Sequence, residues 1–164
     1  MAATRALPAF TRARTAADRI PASVARRAAT PLRLSASRRI AARAGRRLYV
    51  APSLTGELVC LVSSSPDGEV GTACNPPATF TERVGFAVLI RDSGPGTPPT
   101  SVLAAANARV RGLVLGFEST SRRLTPNADG GVAYTPAAAD GRLVSIASVD
   151  ASGKRIGILR IPRD

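Results

Sequence analysis

Residues 143–161, Leu-Val-Ser-Ile-Ala-Ser-Val-Asp-Ala-Ser-Gly-Lys-Arg-Ile-Gly-Ile-Leu-Arg-Ile, read as two apolar, β-branched runs joined by a turn. Residues 143–149 and 155–161 have strand composition, and Asp150-Ala151-Ser152-Gly153 supplies the reversal between them. A hairpin this clear at the C-terminal end raises the question of how far towards the N-terminus a period of two extends.

It extends back to about Leu48. Residues 109–117 set Leu113, Leu115 and Phe117 against Val110 and Val114, with Gly112 and Gly116 marking a bulge or a close approach of another chain segment. Val84, Phe86, Val88 and Ile90 give the cleanest alternation in the chain. Residues 57–62 place Leu58, Cys60 and Val62 on one face and Val59 and Leu61 on the other, the pattern of a strand covered on both sides; Leu48 and Val50 begin the series. Residues 100–107 are alanine-rich after Pro98-Pro99 and are expected to form one short helix or an irregular crossover. Turns are expected at Pro66-Asp67-Gly68, Gly94-Pro95-Gly96, Asp129-Gly130-Gly131 and Asp140-Gly141. The predicted class is mainly β, a small antiparallel sandwich or open barrel-like meander with one or two short helices.

Upstream the composition changes. From Met1 to Arg47 there are twelve arginines and the single acid Asp18, leaving eleven basic and ten acidic residues beyond. The chain therefore divides into a basic arm, residues 1–46, and a nearly neutral β-rich domain, residues 47–164, of the 164-residue total. Pro8, Pro21 and Pro31 limit the arm to short helices or partly disordered chain. One helix is expected over residues 9–20, with Phe10, Ala13, Ala17 and Ile20 on one face. A second is expected over residues 38–44, with Ser37 as its N-cap and Gly45 just past its end.

The net charge of +12 invites a polyanionic partner, and the arginine pairs Arg26-Arg27, Arg38-Arg39 and Arg46-Arg47 are the candidate contacts. A GC-rich coding bias accounts equally well for an Arg- and Ala-rich arm with Lys154 as the one lysine of the chain. Aromatic residues make up 4%, too few for the stacking platforms of a single-strand binder. No run approaches the roughly 18 apolar residues of a membrane span or the apolar core of a signal peptide. The arm's composition also fits an organellar transit peptide.

Histidine is absent, which removes Ser-His-Asp and Cys-His nucleophiles and imidazole-ligated zinc. Ser63, Ser64 and Ser65 have no lysine base near in sequence, and Asp67 and Glu69 flank a turn glycine, where acids ordinarily serve the turn. Gly94-Pro95-Gly96 fits no phosphate-binding motif, and Asp129-Gly130-Gly131 lacks the further carboxylates of a calcium loop. No catalytic, cofactor or metal residue is assigned.

Cys60 and Cys74 are the only cysteines. A disulfide between them would close a loop of about 15 residues, worth about 3 kcal/mol. Two buried thiols are the competing arrangement, and a redox pair is disfavoured because the spacing is not Cys-x-x-Cys. The disulfide is preferred, since an even count bracketing a turn suits adjacent strands.

Thr15-Ala16-Ala17-Asp18-Arg19-Ile20-Pro21, Ser37-Arg38-Arg39-Ile40, Arg47-Leu48-Tyr49-Val50-Ala51-Pro52, Val59-Cys60-Leu61-Val62 with Cys74, Val110-Arg111-Gly112-Leu113-Val114 and Val149-Asp150-Ala151-Ser152-Gly153-Lys154-Arg155 follow one another along the chain. In this order they resemble a family of short uncharacterised proteins of high-GC, chiefly actinobacterial, bacteria. Members often carry an N-terminal membrane segment, for which this chain has no counterpart before Ala16-Ala17-Asp18. The resemblance implies a β-rich domain with paired cysteines outside the cytoplasm, no assigned activity, and an arm retained in the mature protein. The resulting expectation is a non-enzymatic structural or protein-interaction domain, extracytoplasmic or membrane-associated, whose partner is a protein or envelope component. The alternative is a basic-arm protein that binds nucleic acid or an anionic membrane surface.

Overall fold

The segment 100–107 organises the molecule, and it is a strand rather than a helix. In a computed structural model, which describes residues 7–82, 84–91 and 97–162, β6 (Ser101–Ala106) is buried at every position. Leu103 and Ala105 join one apolar core, while Val102, Ala104 and Ala106 join another on the opposite face. Alanine favours helices in isolation, but a strand lying between two sheets needs small side chains on both faces, and that packing overrides propensity.

β6 is the middle strand of a three-stranded antiparallel sheet with β5 (Phe86–Arg91) and β9 (Gly131–Tyr134). The alternation foreseen in β5 is present: Phe86, Val88 and Ile90 face the second core, and Ala87 and Leu89 face the first. A four-stranded meander covers one side of this central sheet. It comprises β1 (Arg38–Arg43), β2 (Arg46–Pro52), β3 (Val59–Ser64) and β4 (Val70–Asn75), paired in chain order. On the other side lies the sheet β11-β10-β7-β8, built from β7 (Gly112–Phe117), β8 (Ser121–Leu124), β10 (Leu143–Val149) and β11 (Arg155–Arg160). The protein is thus mainly β, with three stacked antiparallel sheets and two short helices, α1 (Ala22–Arg27) and α2 (Ala78–Thr81), among the described residues.

The meander and the central sheet also approach at their margins, β1 beside β9 and β4 beside β5. Among the described residues no ladder closes either seam. At the β1 seam Asn127 Nδ2 donates to the Ile40 carbonyl (2.7 Å), and Gly131 is so close to that carbonyl that a side chain there would strike it. Leu7, Ala9 and Phe80 fill the first core between the two sheets.

Residues 38–44 are not the expected helix. β1 pairs with β2, Arg43 stands opposite Arg46, and Ala44-Gly45 form a two-residue turn with φ of 49° and 75°. Positive φ at both positions is the signature of a type I′ hairpin, so Gly45 serves a turn instead of a helix end. Burial of Ile40 in the first core and the ladder to β2 outweigh the helix preference of the alanines. Ser37, in place of capping a helix, donates its hydroxyl to the Asp18 carbonyl (2.6 Å). Residues 9–20 likewise form two 3-10 turns, Pro8–Thr11 and Ala16–Asp18, instead of one helix.

The N-terminal segment packs on the outer face of the meander. Ile20 and Val24 meet Tyr49, Ala51, Cys60 and Val62, so β3 is covered on both faces as its composition indicated. Arg33 and Leu54 exchange backbone bonds with Pro52 and Pro31, adding a short bridge at the end of β2. The boundary drawn ahead of Arg47 falls within strand β2. Of the expected turns, Gly94-Pro95-Gly96 lies outside the described residues.

Candidate functional site

Cys60 and Cys74 face each other across β3 and β4, with sulfurs 2.14 Å apart and Cα atoms 4.0 Å apart. They lie at disulfide distance. The bond sits on the face of the meander that the arm covers, in contact with the cluster formed by Ile20, Val24 and Tyr49. Two adjacent antiparallel strands joined by a short turn bring such residues together without long-range search, which is why the spacing was informative.

The arm is fastened by a carboxylate that sequence reasoning did not single out. Asp18, 1% exposed, accepts two bonds from Arg12 (2.7 and 2.8 Å), one from the Thr15 amide (2.7 Å), one from the Thr15 hydroxyl (2.9 Å) and one from the Arg39 amide (2.8 Å). Arg12 Nε reaches on to Asp129 Oδ1 (2.7 Å) in the loop before β9. The Arg12 hydrogen bonds hold the Asp18 carboxyl far below its ordinary range against the opposing effect of burial, and the two carboxylates push the guanidinium upward. Asp129, foreseen as a turn residue, is thus also an anchor. Local sequence carries no signal for this pairing, because the partners are 117 residues apart.

A second buried acid, Asp140, accepts bonds from Arg122 Nη2 (2.9 Å), the Tyr134 hydroxyl (3.0 Å) and the Ala137 amide (2.8 Å). The Ala137 amide is the largest cause of its lowered pKa, with Tyr134 and Arg122 adding to it; burial raises that of Tyr134. All of these bonds tie β8, β9 and the following 3-10 turn together. Asp67 is held by the Ser65 hydroxyl, and Glu69 pairs with Arg91, so both acids of the Pro-Asp-Gly turn have local partners.

The arginine pairs proposed as polyanion contacts sit on α1, at the start of β1 and at the β1–β2 turn. Arg26 and Arg27 are exposed on α1, and Arg27 donates to the Gly68 carbonyl. Arg38 turns its guanidinium to the carbonyls of Ser37 (3.0 Å) and Ala36 (3.3 Å), while the Arg39 backbone serves the Asp18 clamp. Arg46 and Arg47 lie at the β1–β2 turn. Arg27 and Arg46 share a cavity of about 340 Å³ beside the β4–β5 seam, where Arg91, Ser63 and Glu69 join them.

Basic residues the sequence reading passed over gather elsewhere, on the sheet β11-β10-β7-β8. Its inner face is buried through Leu113, Leu115, Phe117 and Ile146. By the ladder registers its outer face carries Gly112, Val114, Gly116, Ser145, Ala147 and Val149 on the two middle strands, with Arg123 on one margin and Arg155, Ile158 and Arg160 on the other. Arg123 lies over Gly112, where a Cβ would stand 3.0 Å from its Nε. A groove of about 560 Å³ opens at one end of this sheet between Phe117, Val144, Ile158 and Ile161, with Arg142 paired to Glu118 (3.0 Å) and Arg160 at its rim. The spacing of Arg155 and Arg160 around an apolar strand was the available sequence signal.

No known protein family, curated protein or solved structure matches the chain. The short-motif resemblance to actinobacterial proteins thus gains no support from relatives. Among the described residues, no group of three or more Cys, Asp or Glu side chains converges as a metal site, and no helix is long and apolar enough to cross a membrane.

Proposed function

We propose that the chain is a structural or protein-interaction domain that works outside the cytoplasm, engaging a protein or envelope component through its exposed sheet surface. The observation that carries this reading is the Cys60–Cys74 pair at disulfide distance beneath the docked arm. Bridged cysteines persist in oxidising compartments and are rare in a reducing cytosol. The buried acids Asp18 and Asp140 are committed to fastening elements, which accords with a scaffold more than with proton transfer. Intact mass of the protein from its native host, alkylated before and after reduction, tests the compartment: thiols that react only after reduction support it, and freely reactive thiols in undenatured or denatured protein sink it.

A second reading, binding of nucleic acid or an anionic membrane through basic residues of the arm, is favoured by one feature. Arg43 and Arg46 stand directly opposite each other with Arg47 adjacent, a like-charge pairing that an anion would relieve. Arg43→Gln/Arg46→Gln/Arg47→Gln preserves the fold and is expected to reduce affinity for DNA, RNA or anionic vesicles and the steepness of its salt dependence. Unchanged affinity in all three assays eliminates this reading.

A further inference from the structure

β11 ends its sheet, with β10 on one side and, among the described residues, no strand on the other. The hydrogen-bond pattern tells which of its backbone groups are unused. Ile161 donates to Val144, and antiparallel ladders alternate bonded and non-bonded pairs, so Leu159 and Gly157 also face β10 while Ile158 and Arg160 turn their N–H and C=O groups outward. The register shift between Ser148 and Val149 adds one residue to β11, and beyond it Arg155 is again in an outward position, because Asp150 and Lys154 form the bonded pair next to it.

Charge and apolar surface coincide along this edge. Ile158 and Leu159 are each 37% exposed and lie on opposite faces of the strand. Arg155 and Arg160 flank them, with Lys154 at the turn. Among the described residues neither arginine pairs with an acid: the Asp150 carboxylate is occupied by Ser152 and the Lys154 amide, and Glu118 by Arg142.

We propose that the free edge of β11 is a docking strand for an extended acidic segment of a partner protein, which adds to the sheet beside residues 155–160. This rests on the interaction role proposed above and names its surface and partner chemistry. Main-chain bonds from Ile158 and Arg160 hold the added strand, while carboxylates on it meet Arg155 and Arg160. Its side chains alternate between faces, so one strand covers both Ile158 and Leu159 and can place an apolar residue in the adjoining groove. A flat bilayer reaches only one of those two faces. A second copy of this chain docked antiparallel by the same edge brings the basic residues at one end of β11 against those at the other end of its partner, so like charges oppose it. Phosphodiesters leave the two aliphatic side chains uncovered.

The test uses the full chain and fluorescently labelled peptides, one alternating valine and glutamate, one alternating valine and lysine, and an N-methylated form of the acidic peptide that cannot give strand hydrogen bonds. The acidic peptide binds, with amide shifts concentrated on residues 155–160 in NMR spectra. Arg155→Glu/Arg160→Glu weakens it by about tenfold or more, and the lysine and N-methylated peptides do not bind. Absence of binding by the acidic peptide, equal binding by the N-methylated form, or amide shifts elsewhere overturns the proposal, as does peptide-free dimerisation abolished by the same double substitution. Failure here with the cysteines found bridged removes this surface and leaves the interaction role standing; free thiols count against that role whatever the peptides do.

Discussion

At the level of single residues, the Arg12–Asp18 clamp carries the clearest consequence. Asp18 is held ionised in the folded protein and titrates near 3.9 when unfolded. Its contribution is therefore complete above about pH 4 and is lost as pH falls further. Thermal unfolding followed against pH should show a steeper decline below about pH 4 in the parent than in Asp18→Asn, which at neutral pH is destabilised by about 3 kcal/mol through loss of the bidentate Arg12–Asp18 pair, Arg12 keeping only Asp129 as its carboxylate partner. The turn residue Ala44 offers a change of opposite sign. Its φ of 49° suits asparagine better than alanine, and Ala44→Asn should gain about 0.5 kcal/mol in urea unfolding. Neither residue was legible beforehand: Ala44 sits in an alanine-rich stretch that reads as helix, and Asp18 finds Arg12 and the Arg39 amide only once the chain has folded back. Cys60 and Cys74 were legible, because their meeting depends on one hairpin.

Among the elements, the strands with large alternating side chains were readable and those with small ones were not. β5, β7, β10 and β11 match their expected positions because Phe, Leu, Ile and Val declare which face is buried. β1 was read as a helix and β6 as a short helix or an irregular crossover because alanine says nothing about faces, and β4, β8 and β9 are short or polar enough to pass as connections. Smallness in β6 is itself a packing requirement. Ala105 is fully buried between the central sheet and the meander, so Ala105→Leu should cost about 3 kcal/mol or more in chemical denaturation by forcing the layers apart. Gly131→Ala tests the β1–β9 seam in the same way, since the new Cβ would collide with the Ile40 carbonyl.

For the molecule as a whole, composition gave the class but not the stacking. An antiparallel β fold with turns at the right intervals was legible; that one sheet would be covered on both sides was not, because layer order depends on which faces meet and not on any single strand. The arm's role was hidden for the same reason. Its charge suggested a tail, whereas Leu7, Ala9, Ile20 and Val24 belong to two cores. A chain lacking residues 1–37 should lose about 5 kcal/mol from uncovered apolar surface alone, enough to bind a hydrophobic dye and unfold at low urea. Its disulfide should also become reducible at rates close to those of a model peptide.

The meander has a further meaning while the protein is being made. All four of its strands, and both cysteines, emerge before β5 exists, so this sheet can pair and oxidise from neighbouring segments. β6 has no such privilege. It emerges with β5 on one edge and must wait for β9, which follows β7 and β8, leaving an alanine-valine strand open on its other edge during that interval. A fragment ending between Leu124 and Gly131 should therefore have an N-terminal sheet that is already protease-resistant and a central strand that is the part that recruits chaperones or aggregates.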